Sequence, residues 1–154
     1  MVGLAFPSPK LAMHNTIQQF NLPTMHPTYL DKTVHLICVL KGGSIFFSDL
    51  MRAMNKLHSN TGLDYIPYTM DFIRVSSYEG TESTGCVKVD LSYGDISALS
   101  GRHILFVEDI IDTGLTMVKL QEYFGTKTQC LSMETATLLE VGYTLVRRCI
   151  CFFI

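Results

Sequence analysis

Three carboxylates and two hydroxyl side chains follow a mostly apolar run in the second half of the chain. The run, residues 103–107, is typical of a buried parallel strand, and residues 117–124 have helical spacing. The acids are Glu108, Asp109 and Asp112, and the turn after them is Thr113-Gly114-Leu115-Thr116. Backbone N–H groups at a helix start and hydroxyls suit a phosphate, whereas carboxylates suit sugar hydroxyls, a hydrated Mg²⁺ or a proton transfer. The combination predicts a phosphorylated sugar as ligand.

Strands and helices that alternate along the chain must position this segment. Apolar runs predict strands at residues 34–40, 65–75, 103–108 and 129–139, and helical spacing predicts helices at 44–57 and 116–124. Residues 59–62 are expected to end the first helix and Gly125 the second. Residues 76–95 predict a long loop with weak strand character at 86–91. The alternation predicts an α/β fold with a mostly parallel sheet flanked by helices.

Apolar positions are expected to be buried and the strand histidines to be exposed. The first helix is predicted to bury one face, formed by Ile45, Phe46, Leu50, Met54 and Leu57. Cys38 and Cys130 fall in strand-like apolar runs, where cysteine acts as a small hydrophobic residue. His35 and His103 are interpreted as edge or surface residues rather than metal ligands.

The bulk composition fits one domain and disfavours two classes of partner. The 154 residues are 47% hydrophobic and 17% charged, with a net charge of −2. This charge gives no support for binding nucleic acid or a membrane surface, so local dipoles and a metal ion must hold any phosphate. Five cysteines without a CxxC pair, and a start that does not resemble a targeting segment, predict a reducing, cytoplasmic location without disulfides.

Three segments of the chain have distinctive sequences. Residues 38–43 read Cys-Val-Leu-Lys-Gly-Gly, residues 70–78 read Met-Asp-Phe-Ile-Arg-Val-Ser-Ser-Tyr, and residues 107–114 read Val-Glu-Asp-Ile-Ile-Asp-Thr-Gly. In this order they resemble the pyrophosphate loop, the strand before the mobile loop and the phosphoribosyl-diphosphate (PRPP) motif of hypoxanthine-guanine phosphoribosyltransferases, which are type I phosphoribosyltransferases. The resemblance covers about residues 33–140.

This resemblance implies a fold, a reaction and partners. The fold would be Rossmann-like, although incomplete at the C-terminus. The reaction would transfer 5-phosphoribosyl from PRPP to hypoxanthine, guanine or xanthine, with Mg²⁺ as cofactor, and release pyrophosphate. The products from hypoxanthine and guanine are inosine and guanosine monophosphate. The resemblance also implies a homo-oligomer, either a dimer or a tetramer.

The resemblance assigns roles to the three acids. It places Asp112 beside the purine ring nitrogen that loses or receives a proton. Glu108 and Asp109 would face the ribose diol and orient Mg²⁺ through water. Considered alone, Asp112 could simply cap the following helix, and adjacent acids at a strand end could simply be solvated.

The resemblance also assigns three loops. The 5′-phosphate would be wrapped by Asp112, Thr113, Gly114, Leu115 and Thr116. Many family members have Lys where Leu115 stands, but backbone donors dominate such a turn. Lys41 and Gly42 would contact pyrophosphate through a peptide that is often cis in the family, and Ser77 and Tyr78 would lie on the mobile loop. In isolation, residues 42–43 fit an ordinary strand-to-helix turn equally well.

Both flanks depart from the family pattern. The family places a purine-reading Lys after a strand like residues 136–140, where this sequence has Val141, and no Lys follows Lys127. We therefore expect the part after Glu140 to be altered or truncated. The predicted division is an atypical N-terminal segment (1–32), a phosphoribosyltransferase domain (33–140) and an atypical apolar tail (141–154).

Two alternatives belong to other functional classes. The first is a catalytically impaired PRPP- or nucleotide-binding domain that acts by associating with a full-length paralogue; it predicts Mg·PRPP binding without purine binding. The second is a response-regulator receiver, which also has acids at strand ends. A receiver needs an early acidic pair and a late Lys, and this sequence has neither.

Overall fold

Strands and helices alternate in the computed structural model, which describes residues 33–61, 67–77, 87–91, 95–141 and 149–151. The strands are β1 (Val34–Leu40), β2 (Tyr68–Ser77), β3 (Val87–Leu91), β4 (His103–Ile111), β5 (Ser132–Glu140) and β6 (Cys149–Cys151). The helices are α1 (Ser44–Thr61) and α2 (Leu115–Lys127), and a 3-10 helix spans Ile96–Leu99.

The strands of the described residues form one sheet in the order β3-β2-β1-β4-β5-β6. β3 runs antiparallel to β2, and every other neighbouring pair is parallel. The mostly parallel sheet and its Rossmann-like order confirm the predicted fold class. From the middle of the sheet, β1, β2 and β3 follow one another towards one edge, and β4, β5 and β6 follow one another towards the other edge. Loops that follow these two neighbouring strands therefore flank the crevice where such folds bind ligands.

Both faces of the central strands are buried. One cluster joins alternate residues of β1 to α1 and contains Val34, Leu36, Cys38, Phe46, Phe47, Leu50, Met54, Leu105, Val107 and Ala136. The other contains α2 residues and includes Ile37, Val39, Ile73, Ile104, Phe106, Met117, Leu120 and Phe124. Because successive strand side chains point to opposite faces, a strand covered on both sides is apolar at most positions. This explains why β1 is apolar at every position except His35.

The predicted helices exist, but their limits and the predicted face of α1 need correction. Ile45 is 73% exposed, and Phe47, which was not assigned to the buried face, is 3% exposed. α1 continues through the polar residues 59–61, since residues that favour turns do not end a helix whose hydrogen bonds continue. α2 includes Gly125 and ends at the cap residue Thr128, so Gly125 is not the cap.

The two strand histidines are buried, which contradicts their predicted exposure. His35 is 2% exposed and His103 is 7% exposed. Both belong to central strands, whose faces are covered by other elements. Each imidazole lies beside a hydroxyl of the neighbouring strand: His35 Nδ1 is 2.7 Å from Thr69 Oγ1, and His103 Nδ1 is 2.8 Å from Ser132 Oγ. Pairing with these hydroxyls lets polar rings occupy buried positions.

Among the cysteines, Cys38 is fully buried as expected, whereas Cys130 is half-buried and precedes β5 rather than lying within it. Both are free thiols. Cys86 and the side chains of Cys149 and Cys151 lie outside the described residues. Within the described helices, none combines the length and apolarity needed to cross a bilayer.

Several strand limits differ from the prediction, and one difference matters for the site. β4 extends to Ile111 rather than ending at Glu108, because its pairing with β5 continues through Ile111 and Glu140. Asp109 therefore belongs to the strand rather than to the loop that follows it. The weak strand predicted at 86–91 is confirmed as β3, and β6 adds to the outer edge of β5.

Candidate functional site

The site lies where β1 and β4 end side by side. These strands are parallel neighbours, with Cys38 opposite Val107. The loop after β1 consists of residues 41–43, and the loop after β4 consists of residues 112–114. Parallel pairing brings both loops to the same edge of the sheet, so they approach each other although about seventy residues separate them in sequence.

Two glycines let the first loop approach the end of β4 closely. A Cβ on Gly42 would lie 2.7 Å from each carboxylate oxygen of Asp109. A Cβ on Gly43 would lie 2.9 Å from the carbonyl oxygen of Val39 and 3.0 Å from that of Val107. Either position would be crowded by any side chain. The Gly42-Gly43 pair therefore does more than make a turn, since it places the loop backbone directly against the acids of β4.

Backbone hydrogen bonds orient the two adjacent acids. The amide of Asp109 donates to Glu108 Oε1 at 3.1 Å, and the amide of Ile110 donates to Asp109 Oδ1 at 2.9 Å. Burial, followed by the hydrogen bond with the Asp109 side chain, raises the pKa of Glu108 to about 8. At neutral pH Glu108 therefore carries a proton for much of the time, and a cation or a hydroxyl donor beside it would favour the ionised form.

Cys38 lies beneath the acids and is chemically inert. Burial, with smaller contributions from the charges of Glu108 and Asp109, raises the pKa of its thiol to about 12. A thiol with this pKa does not form the reactive thiolate near neutral pH.

The second loop is an open turn that leads directly into α2. Gly114 has φ 75° and ψ −3°, the left-handed conformation that favours glycine, and it is the N-cap of the helix. Asp112 and Thr113 are exposed, and the amide of Leu115 makes a long contact of 3.4 Å with Thr113 Oγ1. The interpretation of Asp112 as the helix cap is therefore wrong. The exposed residues Asp112, Thr113 and Thr116 thus bring a carboxylate and two hydroxyls to the start of α2 at this edge.

Lys41 is exposed in the first loop. The backbone carbonyl of Lys41 accepts a hydrogen bond from Ser44 Oγ at 2.9 Å, which ties the loop to the start of α1. The cis peptide joins Leu40 to Lys41, one residue before the predicted Lys41-Gly42 bond. Ser77 ends β2, its side chain is outside the described residues, and so is all of Tyr78.

Two features of this edge were not predicted from the sequence. The buried Thr137 of β5 donates from Oγ1 to the carbonyl oxygens of Asp109 at 3.2 Å and Leu139 at 3.1 Å. Ile110 and Leu139 are paired across β4 and β5, and they are 53% and 38% exposed. A threonine directly before the apolar residues Leu138 and Leu139 was the available signal for the first feature. The second depends on strand pairing, which the sequence does not display.

The donor set suits a hydrated cation better than a fully protein-bound one. In the described part of the chain, no group of three or more His, Cys, Asp or Glu side chains is arranged to hold a metal ion. Glu108 and Asp109 are two adjacent oxygen donors. Mg²⁺ in proteins often keeps several waters and uses one or two carboxylates together with substrate phosphates, and these residues fit that mode.

Comparisons with known proteins identify relatives of this chain. The chain is 50% identical over 112 residues to hypoxanthine-guanine phosphoribosyltransferase of Sus scrofa, a match covering 73% of this chain and 47% of the pig protein. It is 50% identical over 84 residues to the Homo sapiens enzyme of the same name, covering 54% of this chain and 38% of the human protein. The chain thus spans about half the length, or less, of these curated relatives.

Solved structures show the same fold. A hypoxanthine phosphoribosyltransferase from Staphylococcus aureus superposes with a TM-score of 0.67 at 26% identity, covering 91% of this chain and 72% of that one. The hypoxanthine-guanine phosphoribosyl transferase of L. donovani gives a TM-score of 0.63 at 27% identity, covering 91% and 77%. The sequence model of the phosphoribosyl transferase domain matches residues 21–149. The chain therefore belongs to the phosphoribosyl transferase domain family.

Proposed function

We propose that this chain carries out purine salvage by transferring 5-phosphoribosyl from PRPP to hypoxanthine or guanine, with release of pyrophosphate. The observation that carries the proposal is the approach of Gly42 to the Asp109 carboxylate, 2.7 Å for a Cβ, next to the open helix start at Gly114. This approach supports the proposal because it brings residues 41–43, the acids Glu108 and Asp109, and the turn at residues 112–116 to one edge of the sheet. We take residues 33–140 as the unit that carries the activity.

PRPP has three parts, and the edge offers a partner for each. Its 5′-phosphate binds the turn formed by Asp112, Thr113, Gly114, Leu115 and Thr116, where helix amides and hydroxyls supply donors. The ribose diol binds Glu108 and Asp109. The pyrophosphate binds the exposed Lys41 and the Gly42 backbone. Glu108 and Asp109 would hold Mg²⁺ through water, and the ion would supply positive charge that offsets the charge of the pyrophosphate.

The purine ring lies beside Asp112 and on the apolar pair Ile110 and Leu139. Those two side chains are exposed and lie on paired positions of β4 and β5, so they offer apolar contact area to a base. The exposed Asp112 carboxylate accepts the proton that the ring nitrogen loses, or holds the one it receives. The residues of the chain thus bind and orient the substrates and move one proton. The bonds that form and break belong to the substrates.

The setting of the enzyme is part of the proposal. A cytoplasmic location is supported by the odd number of cysteines and by the free thiols of Cys38 and Cys130. Self-association into a homo-oligomer is supported by the exposed apolar side chains of Met70 and Phe72, which are 52% and 38% exposed.

Binding and turnover measurements on the purified chain test the proposal. Calorimetry with Mg·PRPP, and then with hypoxanthine or guanine, should detect both ligands, and a coupled assay should detect nucleotide. Asp112→Asn should keep Mg·PRPP binding but lower turnover roughly 10²-fold or more, the usual scale for losing a general base. Glu122→Gln, at an exposed carboxyl on α2 outside the site, is the matched control. Mg·PRPP binding without purine binding would instead favour the binding-module alternative.

A further inference from the structure

A second cluster of reactive side chains lies at the opposite edge of the sheet. His35, near the start of β1, is directly paired with Thr69 of β2, and Asp71 lies two residues further along β2. Arg102 immediately precedes β4, the other neighbour of β1. The starts of three adjacent strands therefore meet here, whereas the candidate PRPP site lies at the strand ends.

The distances in this cluster form a connected chain of contacts. Thr69 Oγ1 is 2.7 Å from His35 Nδ1, and His35 Nε2 is 3.1 Å from Asp71 Oδ2. Arg102 donates from a guanidinium nitrogen to Thr69 Oγ1 at 3.2 Å. A hydroxyl, an imidazole and a carboxylate within hydrogen-bond reach have the geometry of an activated nucleophile, its base and the group that orients the base.

The hydrogen-bonding capacities of the groups fix the direction of each bond. A carboxylate only accepts, so the proton on His35 must be on Nε2, facing Asp71. The neutral ring then presents a lone pair at Nδ1. Thr69 must donate its hydroxyl proton to that lone pair while it accepts from the guanidinium of Arg102. The proton of Thr69 thus already points at a base, and a positive charge lies beside the oxygen that would lose it.

In this cluster the base is buried and the hydroxyl is exposed, as attack on an external reagent requires. His35 is 2% exposed and contacts both Thr69 and Asp71, whereas Thr69 is exposed and can be reached by a reagent. Burial lowers the pKa of His35 below its usual value of 6.5. The charge of Asp71 raises this pKa and the charge of Arg102 lowers it, and the net shift is downward. The ring is therefore neutral at pH 7 and able to accept a proton.

We propose that Thr69, His35 and Asp71 form an acyl-accepting triad, in which the Thr69 hydroxyl attacks an activated acyl ester or thioester. Thr69 Oγ1 forms a bond to the acyl carbon, its proton passes to His35 Nδ1, and the alcohol or thiol leaves with a proton returned from the imidazole. The product is an O-acyl threonine at the edge of the sheet away from the PRPP site. Asp71 is a positioning residue, because it acts through the orientation and basicity of His35.

The test uses the full chain with p-nitrophenyl acetate, and it reads phenolate release, intact mass and the modified residue by peptide mapping. One acetyl group on Thr69 is expected. Thr69→Val should abolish this adduct, and Thr69→Ser should retain it on a primary hydroxyl. His35→Val should slow the reaction by roughly 10²-fold or more, as for loss of a general base. Ser132→Ala removes the hydroxyl that contacts His103 on the other face of the sheet, and it should leave the rate unchanged.

The pH profile separates a chemical role from a structural one. The acylation rate should rise to a plateau with a midpoint below pH 6.5, and Asp71→Asn should move that midpoint lower still, since Asp71 raises the pKa of His35. Asp71→Asn should also lower the plateau about 10-fold or more. Acetylation confined to lysines, an adduct that persists in Thr69→Val, or an unchanged pH midpoint in a folded Asp71→Asn would each overturn the proposal.

Discussion

Gly42 lies so close to Asp109 that a single added methyl group would lie 2.7 Å from both of its carboxylate oxygens. Asp109 cannot move away freely, because Oδ1 accepts a hydrogen bond from the amide of Ile110 at 2.9 Å. The two residues belong to different loops or strands and are brought together only by the pairing of β1 with β4. Their contact sets the spacing between the loop proposed for pyrophosphate and the acid proposed for ribose.

Gly42→Ala should therefore impair binding more than folding. The added methyl displaces the Asp109 side chain, so Mg·PRPP affinity should fall by about 10-fold, equivalent to about 1.4 kcal/mol. The melting temperature should change little, because the group that must move is a side chain. Calorimetry and thermal unfolding measure the two effects.

Gly125→Ala is the matched control for that substitution. Gly125 lies within α2, and its Cβ would make an ordinary contact of 3.6 Å with Met133 Cε. Alanine there should stabilise the fold by roughly 0.4–1 kcal/mol without changing ligand affinity. If both glycine variants bind Mg·PRPP as tightly as the wild type, the Gly42–Asp109 contact has no bearing on the ligand.

Gly43→Ala should impair folding itself. Its Cβ would meet the backbone carbonyl oxygens of Val39 and Val107 at 2.9 and 3.0 Å, and both belong to central strands. Backbone in the sheet cannot yield as a side chain can, so the free energy of unfolding should fall by about 1–3 kcal/mol. Urea denaturation measures this loss, and a stability equal to that of the wild type would contradict the close approach.

Glu108 should make stability depend on pH. Its pKa is raised from 4.5 to about 8 in the folded state. Between these two values the folded protein keeps a proton that the unfolded chain has released, so stability is fully present below pH 4.5 and falls as pH rises towards 8. After allowance for solvent screening, the loss attributable to this group is on the order of 1 kcal/mol or more.

Glu108→Gln tests that dependence by removing the titration. The difference in unfolding free energy between pH 5 and pH 8 should shrink in this variant. Glu122→Gln, at an exposed residue of α2, should leave the difference as in the wild type. Equal pH dependence in Glu108→Gln and the wild type would show that Glu108 is not the buried acid responsible.

Thr137 should support Asp109 from the neighbouring strand. Thr137→Val keeps the shape of the side chain but removes the hydroxyl that donates to the carbonyls of Asp109 and Leu139. Loss of this hydrogen bonding should lower stability by about 0.5–1.5 kcal/mol, and Mg·PRPP binding should weaken as Asp109 loosens. Thr137→Ser retains the hydroxyl and should recover most of the binding, as calorimetry on both variants would show.

The sequence predicted those features that depend on local pattern. The limits of β1 follow from a seven-residue, mostly apolar run of which six residues are buried, and the strand–acid–turn–helix order around Glu108 and Gly114 follows from a similar run and helical spacing. The predicted end of α1 and the predicted role of Gly125 are wrong, because residues that favour turns are weak signals when hydrogen bonds and packing extend a helix.

The sequence by itself determined that this protein is an α/β domain with acids and a glycine turn after one buried strand, because periodicity and composition act over a few neighbouring residues. Only the tertiary structure decided that Gly42 lies against Asp109, and that His35 is buried between Thr69 and Asp71. Those contacts depend on which strands are neighbours and on their register. Register is set by the packing of the whole sheet, so residues far apart in the chain become partners without any local signal.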